Sequence, residues 1–140
     1  MTDCLFCKII AKQIPSDSVY EDDHVYAFLD IHPVHPGHVL VIPKEHSIAL
    51  HDAKPEVLQS VIVRIQDIAK AVMSATGAPA FNLMQNNGKE AGQAIPHLHF
   101  HIIPRFAEDG FKHWHGKRGY NEGEAKEIAE KIKASVPMSS

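Results

Sequence analysis

Three histidines stand two residues apart in His97-Leu98-His99-Phe100-His101-Ile102-Ile103. Side chains alternate along a strand, so residues at this spacing share one face. Leu98, Phe100 and Ile102 then point into the core, and three imidazoles line up on the other side. Such a row is costly as mere structure, because every ring nitrogen needs a partner. Imidazoles serve acid–base chemistry, metal binding and nucleophilic attack. One histidine on a strand would usually be bland. Three in strict alternation, behind the polar glycine-bearing loop Gln85 to Gln93, point to a site. A second constellation is Cys4-Leu5-Phe6-Cys7, a Cys-x-x-Cys pair. By itself it fits redox chemistry, metal binding or nothing at all. The redox reading wants a preceding strand, and none precedes position 4. The zinc reading needs two further ligands.

These residues must be carried by definable elements. Leu5, Phe6, Ile9 and Ile10 are spaced as on a short amphipathic helix, closed by Ile14-Pro15. Ser18 to Glu21 and His24 to Leu29 read as strands joined at Asp22-Asp23. Ile31 to Gly37 is a loop stiffened by two prolines. His38 to Ile42 is an apolar strand stopped by Pro43. Pro55 opens the longest helix, with Val57, Leu58, Val61, Ile62, Ile65, Ile68, Ala69, Val72 and Met73 on one face and Gly77 past its end. Ala80 to Met84 reads as a strand, and His97 to Ile103 as the last one, ended by Pro104. Glu124 to Ala134 has helical composition. Together these predict an α+β fold: an antiparallel sheet of about five strands, one long helix and a short N-terminal helix.

Composition narrows the function classes. The chain has 140 residues, 44% of them apolar, which suits one globular domain. Its net charge of −3 supplies no basic field for nucleic acid. A free nucleotide stays compatible, because a few amides and side chains can hold a phosphate. Two cysteines are too few for a disulfide framework. No apolar run approaches the ~20 residues of a membrane span. The start, Met1-Thr2-Asp3-Cys4, lacks the order of a signal peptide, so the expected location is the cytoplasm. Histidine is the outlier, with 11 residues.

The histidine segment resembles the motif of the histidine-triad (HIT) family, His-φ-His-φ-His-φ-φ with φ apolar, at every position. Phe28-Leu29-Asp30-Ile31, Pro36-Gly37-His38-Val39-Leu40-Val41-Ile42-Pro43-Lys44-Glu45-His46 and Asn86-Asn87-Gly88-Lys89-Glu90-Ala91-Gly92-Gln93 also look like family segments, in family order. The resemblance covers roughly residues 4 to 106. It implies a HIT domain over 1–106 and an extension over 107–140, either part of the same domain or a tail touching a second copy.

The resemblance further implies a nucleotide hydrolase or transferase. His99 would attack the α-phosphorus of an adenosine or guanosine nucleotide conjugate and form a nucleotidyl-histidine. His101 and His38 would donate hydrogen bonds to the phosphate, and the amides of the Gly88–Gln93 loop would cradle its oxygens. Asn86 and Gly92 would shape that site, and Gln93 would contact the phosphate or leaving group. Asp30 would accept the two ribose hydroxyls, with Phe6, Ile9, Phe28 and Ile31 walling the base. As ordinary core, Phe6 and Ile9 would look the same. A structural zinc on Cys4, Cys7, His46 and His97 is implied as well, and so is a homodimer. The Hint branch usually places serine after the loop glutamine, where this chain has Ala94. Its C-terminal ending is replaced here by a longer polar tail. Substrate expectations therefore span phosphoramidates and dinucleoside polyphosphates. The competing readings are a nucleotide-binding regulatory module with negligible turnover and a zinc-stabilised interaction protein. An intact His99 favours the enzyme over the module. The interaction protein leaves Asp30, His38, Asn86, His99 and His101 unexplained. Among the other histidines, His24 and His51 are expected on the surface, and His32 and His35 in an exposed loop. The His113-Trp114-His115 cluster is expected to be a tail without a role.

Overall fold

The computed structural model describes residues 3–112 and 116–137, so His113-Trp114-His115 lies outside the described residues. The chain divides into two units, Met1–Asp109 and Gly110–Ser140. The first unit runs α1 (Leu5–Ile10), β1 (Ser18–Glu21), β2 (Val25–Leu29), β3 (Val39–Pro43), α2 (Pro55–Thr76), β4 (Ala80–Met84) and β5 (Phe100–Arg105). The second holds α3 (Glu124–Ser135), whose start is braced by Arg118 pairing with Glu124 at 3.2 Å.

All five strands form one antiparallel sheet in the order β1-β2-β3-β5-β4. The β1–β2 hairpin closes as its dipeptide predicts. Asp22 Oδ1 accepts the amides of His24 and Val25 at 2.7 and 2.9 Å, so β2 begins at Val25 rather than His24. Pro55 sits in the first turn of α2, and Gly77 caps its end at φ +75°. Val61, Ile65, Ile68, Ala69 and Val72 turn inward, whereas Ile62 is half exposed on the flank.

The sheet is covered on both sides. One face packs Val25, Ala27, Val39, Val41, Leu98, Phe100 and Ile102 against α2. The other packs Tyr26, Phe28, Leu40 and Ile42 against Phe6 and Ile9 of α1. Burial on both faces explains the unbroken apolar run of β3.

The histidine segment departs from expectation. Leu98, Phe100 and Ile102 do face α2, but the strand starts at Phe100 and runs through Pro104 to Arg105. Pairing between β3 and β5 begins at Val41↔Phe100. Pro43 has no N–H to extend that ladder, and its carbonyl is taken by a histidine side chain. His97 and Leu98 bond elsewhere: their amides donate to Ile95 O and Ser47 O, both at 2.8 Å.

Candidate active site and metal centre

The Cys-x-x-Cys pair sits at the start of α1, with Cys4 as its N-cap. Cys4 Sγ lies 3.3 Å from His97 Nδ1, and Cys7 Sγ lies 3.4 Å from His46 Nδ1 and 3.6 Å from His97 Nδ1. The two Nδ1 atoms are 3.1 Å apart, and all four ligand atoms fall within 4.8 Å of one another. A tetrahedron with Zn–S of about 2.3 Å and Zn–N of about 2.0–2.1 Å has edges of about 3.3–3.8 Å. The four atoms therefore fit a closed Cys₂His₂ centre. The proton count fits too. His97 Nε2–H donates to Pro43 O at 2.9 Å, which leaves Nδ1 with its lone pair turned to the cluster. Burial pushes the Cys7 thiol up to about 11 and holds His97 down to about 4. A bound cation reverses that logic for the thiols, since a coordinating thiol is deprotonated.

His99 is buried, 8% exposed, and packs in a T-shaped contact with Phe6 at 5.1 Å between ring centres. Its Nδ1–H donates to the His97 carbonyl at 2.7 Å. That bond places the proton on Nδ1 and leaves Nε2 with a free lone pair.

A second chain of bonds sets His101. The Val34 amide donates to His38 Nδ1 at 3.1 Å, so the proton of neutral His38 is on Nε2. Nε2–H then donates to His101 Nδ1 at 2.9 Å, which puts the His101 proton on its Nε2. Burial keeps both rings neutral. It lowers His38 and, helped by His99 and His38 nearby, lowers His101 to about 4. Asp30 pulls both the other way, with Oδ2 at 3.6 Å from His38 Nε2.

His38 backs His101 in this arrangement. It is buried, and its single N–H is spent on His101. Gln93 braces the loop. Its Oε1 accepts the Gly88 amide at 2.9 Å, and its Nε2 donates to Ile48 O at 2.7 Å and Ile95 O at 3.0 Å. The side chain thus ties Gly88, Ile48 and Ile95 together. The amides of Ala91 and Gln93 donate to Gly88 O, and that of Gly92 to Lys89 O, within the loop. Gly92 holds φ +93°, a conformation that favours glycine, and a Cβ there would stand 3.8 Å from Asn86 Nδ2.

Asp30 Oδ1 already accepts the His32 amide at 2.9 Å, so gripping two hydroxyls means sharing that oxygen. Phe6, Ile9 and Phe28 are buried together, Phe6 and Phe28 edge to face at 5.6 Å, while Ile31 is 82% exposed. His24, His32 and His51 are exposed as expected. His35 is not: its Nε2 lies 3.1 Å from Asp109 Oδ2 and its ring meets Phe106 edge-on at 5.3 Å. Two contributors were missed in the sequence, the Pro43 carbonyl and the Val34 amide, because backbone groups leave no residue signal.

The HIT domain matches residues 11–108. A HIT-family protein of Bacillus subtilis has a solved structure similar to this chain with a TM-score of 0.90 and 39% identity, covering 98% of this chain and 99% of that one. A Zn-bound histidine-triad protein of Mycobacterium smegmatis gives a TM-score of 0.75 at 32% identity, covering 96% and 99%. The adenosine 5'-monophosphoramidase of Saccharomyces cerevisiae is 46% identical over 102 residues, 73% of this chain and 62% of that protein. With its domain match, its five-stranded sheet and its histidine triad, the chain belongs to the HIT family.

Proposed function

We propose that this protein hydrolyses or transfers nucleotides by attack of His99 Nε2 on the α-phosphorus of a purine nucleotide conjugate. The observation that carries the reading is the bond from His99 Nδ1–H to the His97 carbonyl at 2.7 Å, which frees the opposite nitrogen as a nucleophile. As the N–P bond forms, the bond from phosphorus to the leaving group breaks. The leaving group departs with the electron pair and takes a proton from solvent or a neighbouring acid. Water or another acceptor then displaces His99 and releases the nucleotide. His101 Nε2–H donates to a non-bridging oxygen as its charge grows, and His38 holds that proton in place. Asp30 recognises the ribose, and Phe6, Ile9, Phe28 and Ile31 border the base.

Cys4, Cys7, His46 and His97 would hold zinc, whose four protein ligands leave no open position and make its role structural. We further propose a cytoplasmic homodimer, with the chemistry in the Met1–Asp109 unit. The exposed edge strand β4 supports pairing, and beside it Ile62, Val63, Phe81 and Leu83 line an apolar groove.

Substrate choice is tested by steady-state hydrolysis of an adenosine 5'-phosphoramidate and, separately, of diadenosine polyphosphates, with His99→Ala as control. Turnover of either that vanishes in His99→Ala supports the reading. Tight binding of both without turnover identifies a regulatory module instead.

A further inference from the structure

Just past the end of β5, the strand that carries His101, the side chain of Asp109 is only 6% exposed. Its Oδ1 accepts Arg105 Nη2–H at 2.8 Å. Its Oδ2 accepts the Phe106 amide at 2.9 Å and His35 Nε2–H at 3.1 Å. Two of these donors belong to the end of β5 and the turn after it. The third comes from the loop 31–37, which joins Asp30 to His38. The Phe106 ring meets His35 edge-on at 5.3 Å, so the imidazole is held by its tip and by its face. Every other side chain of that loop is exposed. Its two ends are tied to each other, Asp30 N–H to His38 O at 2.9 Å, which leaves the middle of the loop to His35. That middle sets His38. The His35 carbonyl accepts the His38 amide at 3.0 Å, and the Val34 amide donates to His38 Nδ1 at 3.1 Å.

We propose that Asp109 is a positioning residue for the donor side of the site: through His35 it holds the Val34 amide against His38 Nδ1, and so fixes the tautomer in which His38 donates to His101. This rests on the reading of His101 as the phosphate donor. The carboxylate touches no reacting group. It acts through one bond to His35, one step of backbone and one amide. Pro33 and Pro36 flank that step and limit its rotation, so an anchor at residue 35 is felt at residue 34 with little slack. The residue that sets the donor thus stands beyond residue 106, in a stretch whose sequence carries no motif.

The test compares the full-length protein with Asp109→Ala, His35→Leu and the double variant. Two-bond ¹H–¹⁵N spectra of the histidine rings read the His38 tautomer, and hydrogen exchange reads the Val34 amide. Circular dichroism tracks the fold alongside. The expected result is a single Nε2–H tautomer for His38 in the wild type and a mixture in both single variants. Exchange of the Val34 amide should accelerate by about fivefold or more, as its acceptor is no longer held in place. Turnover of an adenosine phosphoramidate should fall by about tenfold through kcat, with KM changed less. The double variant should lose no more than either single one, because both substitutions cut one path. His35→Gln, which keeps an N–H donor, should keep the wild-type tautomer. An unaltered His38 tautomer in folded His35→Leu overturns the proposal, as do losses that add in the double variant or a mixture in His35→Gln. A drop in thermal stability of Asp109→Ala with His38 and Val34 unchanged also overturns it, and leaves Asp109 as the closure of a turn. Should Asp109→Ala unfold, His35→Leu decides, since the Arg105 and Phe106 bonds to Asp109 survive in it. The tautomer and the exchange are read without turnover, so a protein that never turns over nucleotide fails the functional reading and leaves this test standing.

Discussion

Each histidine of the triad is defined by where its hydrogens go. His99 gives Nδ1–H to a backbone carbonyl, His97 gives Nε2–H to another, and His101 takes one from His38. In the proposed function, those directions divide the labour: nucleophile, ligand and donor. The alternation in the sequence correctly identified the segment and separated Leu98, Phe100 and Ile102 from the histidines. It could not show the partners, because Val34 N–H and Pro43 O look like any other backbone group. Gln93 is similar: its type suits phosphate, and its bonds to Gly88 N, Ile48 O and Ile95 O leave no signal in the sequence. Two predictions belong at this scale. His38→Leu removes the donor that sets the His101 tautomer, so kcat should fall by about 10–100-fold while the KM for an adenosine phosphoramidate changes little. Steady-state kinetics check this, and a change confined to KM would return His38 to direct phosphate contact. Gln93→Ala should weaken the loop more than the chemistry. Hydrogen exchange of the Gly88 amide should accelerate, as its acceptor is lost.

At the scale of elements, the helices and most strand bounds were legible because apolar period and punctuation agreed. Pro55 and Gly77 bracket α2, and Asp22-Asp23 closes the first hairpin. The start of β5 was not legible. Apolar alternation continues back through Leu98, but the partner strand runs out at Pro43, and only tertiary pairing reveals that. The short helix α1 acts beyond its length. It carries two sulfurs and also Phe6, which covers His99. Gly37 shows how the loop before β3 is held. It adopts φ +100°, and a Cβ there would come within 2.5 Å of Thr76 Cγ2, a side chain already bonded to Val72 O. Gly37→Ala should therefore destabilise the protein by about 1–3 kcal/mol. Urea unfolding measures it, and a loss below about 0.5 kcal/mol would mean the loop relaxes freely.

At the scale of the whole molecule, a buried polar face is built into a sheet packed on both sides. That arrangement carries a pH signature. His101 has its folded value lowered to about 4 by burial, and His38 is lowered too. Protonation therefore favours the unfolded chain. The stability these rings contribute is complete above the ordinary histidine value of about 6.5 and drains away as the pH falls toward 4. The loss from His101 is on the order of 2–3 kcal/mol. Denaturant midpoints measured across that window should fall less steeply in His101→Gln than in the wild type. The central claim, that His99 is a nucleophile rather than a buried ring in a binding pocket, is tested most directly by trapping the covalent intermediate. The protein is mixed with an adenosine phosphoramidate, quenched within its first turnovers, and measured by intact mass and peptide mapping. The prediction is an adenylyl adduct on the peptide carrying His99, absent in His99→Ala. Product formation without any adduct, or an adduct on His97 or His101 instead, would contradict it.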